Sequence, residues 1–437
     1  MASLFLKKML IRTGLVRLFP KLAGMPRGSE QYLHYLSDRL LSSPYSELQH
    51  AYNCLETHQP DAIDLAMGAP RFTAVTVQPG RLPASLRGYP SVFGLGELRE
   101  AIADKISTNY DVSLVNHDEV LITSGATGAI NLALETFVNR GDKVVLFDPT
   151  SQLYPLMLKQ RRAKIRWIPT RMEEGKLRFH VQHLAKALQG AKMIIVANPN
   201  NPNGGVFTPK DLEQIAWWAN HRDALIVNDM TFDQFFYEGQ RQAIAKFPIA
   251  NRRTLTVNSL SKSHAMTSTR VGWLLGEKTL VSACALSSGF HTPFVPVVCQ
   301  LIALDALRKG DQVLASVVEN FDSRRQYAFD RLRGLGMEPE YAAGGFFHWV
   351  PVDRFKMSGR EFAKKVLQEQ GVLLWPGEFF GPSGSHHVRV SHAVEEGRLR
   401  QGLTRINQFL EKHRVEKMQP NTIPRPTKRK ELVAAAA

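Results

Sequence analysis

Lys262 stands in a short polar run whose side chains could carry covalent chemistry. Ser259 and Ser261 supply hydroxyl donors, and Arg270 supplies a planar guanidinium that can bind a phosphate in bidentate fashion. A lysine amine beside such a phosphate anchor is well suited to form a Schiff base with an aldehyde cofactor. Any single lysine is more often a solvated residue on a turn, so this run needs support from the rest of the chain.

A second run is suited to the same task. Gly125-Ala126-Thr127-Gly128 opens a predicted helix, where free backbone N–H groups and the helix dipole favour a phosphate. Small residues are common at the start of helices, so this run alone is a weak signal.

The elements that must position these residues form an alternating pattern. Short runs rich in apolar and β-branched residues alternate with helix-like stretches, which indicates a mainly parallel α/β sheet. The predicted strands are Val120–Thr123, Lys143–Phe147, Met193–Ala197, Leu225–Asn228, Thr254–Val257 and Val271–Leu275, and the predicted helices include Ala129–Val138, Pro209–Ala219 and Phe362–Glu369.

Five of the predicted strands lead directly, or within one residue, into polar segments. These segments are Ser124–Gly128, Asp148–Pro149, Asn198–Gly204, Asp229 and Ser259–Lys262. Because the carboxyl ends of parallel strands meet along one edge of a sheet, where ligands bind, we expect the five segments to line one crevice. One polar strand end would be an ordinary turn, whereas five together favour a binding site.

Composition and charge limit the remaining possibilities. The chain has 437 residues, which is enough for two lobes, and its net charge of +15 lies mostly at its two ends. We see no basic patch interleaved with aromatic residues, so no nucleic-acid partner is predicted. Three widely spaced cysteines (Cys54, Cys284 and Cys299) imply neither a disulfide framework nor a metal site, and they favour a cytoplasmic location.

The N-terminal residues 1–28 are both apolar and basic. Charges interrupt them too often for an integral membrane span. The sequence leaves open a peripheral membrane contact, an organelle presequence, or an arm that packs on a partner subunit.

Two motifs together resemble a known family. Ser259-Leu260-Ser261-Lys262, followed by Arg270-Val271-Gly272-Trp273, resembles the lysine signature of fold-type I aminotransferases of class I/II, which use pyridoxal 5′-phosphate (PLP). The run Asn-Pro-Asn-Asn-Pro-Asn-Gly at 198–204 resembles the asparagine–proline motif of the same family. The resemblance covers about residues 60 to 410.

The resemblance implies the α/β class and a fold-type I PLP-dependent transferase. A large domain would contain a mainly parallel seven-stranded sheet in an α/β/α sandwich, beside a smaller α+β domain. The implied segments are an N-terminal arm (1–28), the N-terminal part of the small domain (29–75), the large PLP-binding domain (76–305), the C-terminal part of the small domain (306–412) and a basic tail expected to be disordered (413–437).

The resemblance also implies roles for individual residues. Lys262 and Asp229 would be catalytic: Lys262 would form the Schiff base and move the substrate Cα proton, and Asp229 would keep the cofactor's pyridine nitrogen protonated. The cofactor-binding residues would be Gly125, Ala126, Thr127, Tyr154, Asn201, Asp229, Phe232, Ser259, Ser261, Lys262 and Arg270, together with Tyr89 from the partner subunit of a homodimer. The substrate-binding residues would be Gly68, Asn201 and Arg389, with Arg389 binding the α-carboxylate.

Four positions depart from the family pattern. Met230 replaces a frequent glutamate, Ser268 replaces a glycine, and Phe232 stands where a tyrosine normally donates to the cofactor. Ser151 stands where an aromatic ring usually stacks on the pyridine, and Tyr154 could partly substitute for that ring. Loss of the tyrosine hydroxyl should raise the pKa of the Schiff base.

The leading functional prediction is an aminotransferase that moves an amino group between an amino acid and a 2-oxo acid, both small molecules. The alternatives are a PLP-dependent lyase of the β-elimination type and a non-catalytic PLP-binding protein. The sequence does not identify the amino acid, since nothing marks a second arginine for a dicarboxylic side chain. The aromatic stretch Phe346-Phe347-His348-Trp349 is interpreted as core of the small domain.

Overall fold

The computed structural model describes residues 61–70, 88–110, 112, 117–309 and 311–413. The predicted arm at 1–28, most of the segment 29–75 and the tail beyond residue 413 lie outside the described residues. No helix in the described part of the chain is both long enough and apolar enough to cross a membrane.

The described strands are short and mostly buried. They are β1 (Ile63–Asp64), β2 (Val120–Ser124), β3 (Lys143–Asp148), β4 (Lys164–Pro169), β5 (Arg171–Glu173), β6 (Lys176–Arg178), β7 (Met193–Ala197), β8 (Leu225–Asp229), β9 (Thr254–Ser259), β10 (Val271–Leu275), β11 (Phe347–Pro351), β12 (Val372–Leu373), β13 (Trp375–Pro376) and β14 (His387–Ser391).

The described α-helices connect and cover these strands. They are α1 (Gly96–Tyr110), α2 (Gly125–Phe137), α3 (Leu153–Gln160), α4 (Val181–Ala187), α5 (Pro209–His221), α6 (Pro248–Asn251), α7 (Leu260–Ser263), α8 (Lys278–Ser288), α9 (Val297–Lys309), α10 (Asp311–Gly334), α11 (Gly359–Gln370) and α12 (Glu396–Lys412).

A seven-stranded sheet organises the larger part of the described chain. Its strand order is β2-β10-β9-β8-β7-β3-β4, and β10 alone among these strands runs antiparallel to its neighbours. Every residue of β7 is buried, because helices cover both faces of the central parallel strands. The predicted mainly parallel seven-stranded sheet is confirmed.

Helix boundaries follow from local capping. Thr208 accepts a hydrogen bond from the Asp211 backbone while the Asp211 side chain accepts one from the Thr208 backbone, and Pro209 follows Thr208 as the first residue of α5. Ser358 caps α11 at its start, and Gly371, with a φ of +62°, ends it in the left-handed conformation.

A second core lies around the three-stranded sheet β11-β14-β13 and helices α10, α11 and α12. The short strand β1 pairs in parallel with β12, so residues 63–64 join this second core although they precede it by some 300 residues. This pairing agrees with a small domain built from both ends of the chain. The domain boundaries themselves stay a prediction.

The six predicted strands and three predicted helices all exist, with ends that differ by up to four residues. For α2 the helix begins at Gly125 rather than at Ala129, because the small residues of the predicted phosphate loop form its first turn. The edge strand β4 was not predicted individually, since its sequence Lys-Ile-Arg-Trp-Ile-Pro alternates charge with apolar residues.

Candidate active site

The start of α2 and the arginine after α7 form a cradle that could hold a phosphate. Gly125 has a φ of +70°, and a Cβ atom there would overlap the guanidinium of Arg270. A Cβ on Gly272 would lie 2.6 Å from the backbone N of Ala126. Glycine at both positions therefore brings β10 and Arg270 against the free N–H groups of the first turn.

Arg270 is exposed and held in place by backbone carbonyls. Its Nη1 donates to Thr267 O at 3.0 Å, and its Nη2 donates to Ser124 O at 3.4 Å. These bonds fix the plane of the guanidinium at the helix start, while its other N–H groups stay available for an anion. Thr127 is also exposed in this first turn, and Ala126 is buried beneath it.

Lys262 projects from the one-turn helix α7, directly after β9. Ser259 caps this turn by accepting a hydrogen bond from Ser261 N at 3.3 Å. The Lys262 amine donates to the carbonyl oxygen of Gly68. Burial lowers the pKa of Lys262 to about 8, with further lowering from the positive charges of Arg389 and Arg270. The amine is therefore much closer to neutral at physiological pH than an ordinary lysine.

Asp229 lies at the carboxyl end of β8 with both carboxylate oxygens bonded. Tyr154 Oη donates to Oδ2 at 2.5 Å, and the backbone N of Thr231 donates to Oδ1 at 2.9 Å. Burial and the nearby negative charge of Asp229 raise the pKa of the Tyr154 hydroxyl well above its usual value, so it remains a donor. Asp229 is thus an oriented carboxylate.

Arg389 is only 3% exposed on the buried strand β14. Its Nη1 donates to Asn201 Oδ1 at 2.7 Å, and its Nη2 donates to Ala66 O at 2.5 Å. Aromatic rings surround the guanidinium: its central carbon lies 3.8 Å from the ring centre of Phe347 and 4.9 Å from that of Phe380. Cation–π contacts of this kind stabilise a desolvated arginine. A planar guanidinium of this kind is suited to bind a carboxylate in bidentate fashion.

The loop that carries Asn201 is fastened to both cores. Asn200 Nδ2 donates to Pro149 O at 3.0 Å and to Asn203 Oδ1 at 2.9 Å. Asn203 Nδ2 in turn lies 3.4 Å from Glu340 Oε2. Burial raises the pKa of Glu340 to about 7.

A neighbouring loop makes a second connection between the cores. The buried carboxylate of Asp148 accepts hydrogen bonds from the backbone N and the Oγ of Ser383. Thr150 N also donates to Phe380 O at 2.8 Å. The loops after β3 and β7 therefore hold the Arg389 region beside the ends of the large sheet.

Most of the predicted site residues therefore meet, at the edge that sequence reasoning indicated. Contacts join Lys262 to Gly68, Arg389 to Asn201, and Arg270 to the turn at Gly125. Tyr89 stands apart: its side chain is 92% exposed and stacks on Phe294, with ring centres 5.3 Å apart.

The four departures have different surroundings. Phe232 is buried and packs edge-to-face on Phe346 and Phe347, so the apolar ring is accommodated in a cluster of aromatic residues. Met230 and Ser151 are buried, whereas Ser268 is exposed.

Sequence reasoning missed two features of this site. It proposed that Tyr154 could replace a stacking ring, but it did not find the hydrogen bond between Tyr154 and Asp229, which are 75 residues apart. It interpreted Phe347 as core, and Phe347 is indeed buried, yet its ring also covers Arg389. The only signal available was the pair of adjacent aromatics at 346–347, of which Phe347 begins β11.

The chain is similar to known enzymes over most of its length. The family model "Aminotransferase class I and II" matches residues 60–406. A valine–pyruvate aminotransferase of Mycobacterium tuberculosis is 30% identical, and the match covers 80% of this chain and 91% of the relative.

Two solved structures of aminotransferases have a fold similar to that of this chain. The aspartate aminotransferase from Thermus thermophilus with maleate has a TM-score of 0.77 at 27% identity, covering 85% of this chain and 99% of that one. The aromatic aminotransferase from Pyrococcus horikoshii has a TM-score of 0.75 at 26% identity, covering 83% and 99%. These matches do not favour the lyase or the non-catalytic alternative. The chain belongs to the aminotransferase class I and II family of PLP enzymes, and it is a transaminase.

Proposed function

We propose that this chain binds PLP covalently through Lys262 and transfers an amino group between an amino acid and a 2-oxo acid. One observation carries the proposal: the buried amine of Lys262 donates to the Gly68 carbonyl, and the positive charges of Arg270 and Arg389 both lower its pKa. Arg270 belongs to the phosphate cradle and Arg389 to the candidate carboxylate site. A buried amine with a lowered pKa and two anion-binding groups nearby suits a phosphorylated aldehyde together with an amino acid.

The residues present fit PLP. The cradle at Gly125 and Arg270 offers free backbone N–H groups and guanidinium donors for the phosphate. Asp229, oriented by Tyr154 and Thr231, offers a fixed carboxylate for the ring nitrogen. PLP, when bound, supplies an electron sink that stabilises negative charge at the substrate Cα.

The chain's own groups would then handle the substrate and its proton. Arg389 would bind the α-carboxylate, with Asn201 fixing one edge of the guanidinium. Lys262 would be the amine that moves the substrate proton. With a pKa near 8 this amine can accept the Cα proton at neutral pH and return it to a different atom. Gly68 is closely packed against Phe347, which keeps its backbone at the side of Lys262.

We also propose that the active unit is a homodimer in which Tyr89 completes the site of the partner subunit. The 92% exposure of Tyr89 supports this proposal, as do the large exposed side chains of Phe290 and Leu286. A cytoplasmic location stays a prediction.

Half-transamination of the purified holoenzyme tests the proposed activity. The protein is incubated with single amino acids in the absence of a 2-oxo acid, and the absorption of the cofactor is followed. We expect at least one amino acid to convert the aldehyde form of the cofactor into the amine form with release of the matching 2-oxo acid. Failure of every amino acid, with PLP demonstrably bound, would contradict the proposal.

Hybrid dimers test the shared site. A Lys262→Ala chain is mixed with a Tyr89→Ala chain under conditions that allow subunit exchange. If Tyr89 reaches the partner's site, each hybrid contains one complete site, and activity appears that neither parent shows. No recovery in a mixture whose hybrids are verified by mass would refute the shared site while leaving the Lys262 proposal intact.

A further inference from the structure

A basic groove lies at the outer edge of the large sheet. It runs between the edge strand β4 and helix α4 and has a volume of about 380 Å³. Its lining residues are Lys143, Lys164, Ile165, Arg166, Trp167, Pro169, His183, Lys186 and Ala187. We refer to this feature as the β4 groove.

The β4 groove is charged out of proportion to the surrounding protein. Its lining contains four lysine or arginine side chains and one histidine but no carboxylate. The two ends of the chain carry ten of its fifteen excess positive charges, so residues 29–410 carry an excess of only five. A groove with four lysine or arginine side chains and no carboxylate is therefore a local concentration of charge in a nearly balanced part of the chain.

Two lysines of the groove lie side by side in the sheet. Lys143 and Lys164 occupy directly opposite positions on the neighbouring strands β3 and β4. Two like charges on neighbouring strands repel each other. Within the described part of the chain, the five basic residues of the groove make no ion pair, whereas cations elsewhere do, such as Arg178 with Asp211. An anionic ligand would relieve this repulsion.

We propose that the β4 groove binds a small anion that carries two or three linked phosphate groups. A volume of about 380 Å³ lies within the usual range for small-molecule sites. The lysines are compact point charges suited to phosphate oxygens, and Arg166 adds a planar donor for bidentate contact. Ile165, Trp167 and Ala187 give the groove an apolar part. A concave site of limited volume suits a small anion better than an extended polyanion.

Titration calorimetry on the PLP-saturated protein tests the proposal, because bound PLP keeps the active-site phosphate cradle filled. The probes are inorganic tripolyphosphate and adenosine triphosphate, with inorganic sulfate as a simple divalent anion. We expect one tripolyphosphate to bind per chain, more tightly than sulfate, with affinity that falls as salt rises. Equal affinity for tripolyphosphate and adenosine triphosphate would show that the groove binds the phosphate groups alone. Tighter binding of adenosine triphosphate would show that the apolar part of the groove also contacts the nucleoside.

Matched variants locate the binding. Lys164→Gln with Lys186→Gln removes two exposed lysines of the groove and should weaken tripolyphosphate binding about tenfold. Lys210→Gln with Lys364→Gln removes two exposed lysines elsewhere and should leave it unchanged. Both double variants lower the net charge equally, so a general effect of charge would weaken tripolyphosphate binding to both.

Four outcomes would overturn the proposal. One is no saturable binding of tripolyphosphate, and another is equal weakening in the two double variants. The third is self-association of the groove variant with unchanged anion binding, since charged side chains on an edge strand also prevent edge-to-edge pairing. Binding only to long nucleic acid or to anionic vesicles would equally exclude a small-anion site.

Discussion

The surroundings of Lys262 predict how cofactor attachment depends on pH. Schiff-base formation requires the neutral amine, and burial together with Arg389 and Arg270 lowers the pKa of this amine to about 8. At pH 7 about one amine in ten is then neutral, against roughly one in three thousand for a lysine with its ordinary pKa. The neutral fraction is therefore increased about 300-fold at pH 7.

The rate of PLP attachment should therefore increase with pH. The rate of PLP attachment to the cofactor-free protein should rise about tenfold per pH unit below pH 7.5 and level off above pH 9. Stopped-flow absorption between pH 6 and 10.5 measures this rate, with roughly 0.5-unit steps. Borohydride reduction followed by peptide mass analysis identifies Lys262 as the attached residue.

The variant Arg389→Gln separates the two causes that lower the pKa of Lys262, which are burial and nearby positive charge. Arg389→Gln removes one positive charge near the amine but leaves the burial, which is the largest cause, in place. The midpoint of its rate profile should therefore move upward, yet stay well below the ordinary lysine value. A wild-type rate that keeps rising through pH 10, or a midpoint that moves downward in the variant, would refute the reasoning.

Three further changes give distinct outcomes. Arg389→Lys loses the planar pair of donors beside Asn201, so kcat/KM should fall about 100-fold or more while PLP stays bound; unchanged kinetics would exclude Arg389 as the carboxylate site. Phe232→Tyr should lower the pKa of the cofactor Schiff base in a spectral pH titration, with Phe232→Leu as the control without a hydroxyl; equal pKa values in both would contradict the assigned position. Burial raises the pKa of Glu340 to about 7, so this carboxyl group binds its proton more tightly in the folded protein than in the unfolded chain. The free energy of unfolding should therefore fall as pH rises from about 4.5 through 7. Denaturant unfolding at pH 5 and pH 8 should show a smaller fall for Glu340→Gln, and an identical fall would rule out this carboxyl group as its source.

Much of the large sheet could be predicted because its central strands are buried on both faces. Short runs rich in β-branched residues, such as Met193–Ala197, favour a buried strand, and the polar segments after them mark their carboxyl ends. The edge strand β4 could not be read in the same way, since one side of it is open and Lys164 and Arg166 alternate with apolar residues.

The parts of the site formed by continuous motifs could be predicted from the sequence. The contacts between residues far apart in the chain could not. Ser259–Lys262 and Asn198–Gly204 are continuous in sequence, so their positions followed from the strands before them. The bond from Tyr154 to Asp229 and the ring of Phe347 over Arg389 depend on packing between elements far apart in the chain. Short-range patterns carry no information about such pairs.

The central claim is that Lys262 holds PLP, and one comparison tests it most directly. Wild-type protein, Lys262→Ala and the matched exposed-lysine variant Lys210→Ala are saturated with PLP, reduced with borohydride and analysed for covalently attached cofactor. We predict one attached cofactor per chain in the wild type and in Lys210→Ala, and none in Lys262→Ala. A Lys262→Ala protein that retained the attached cofactor and its absorption band would contradict the account.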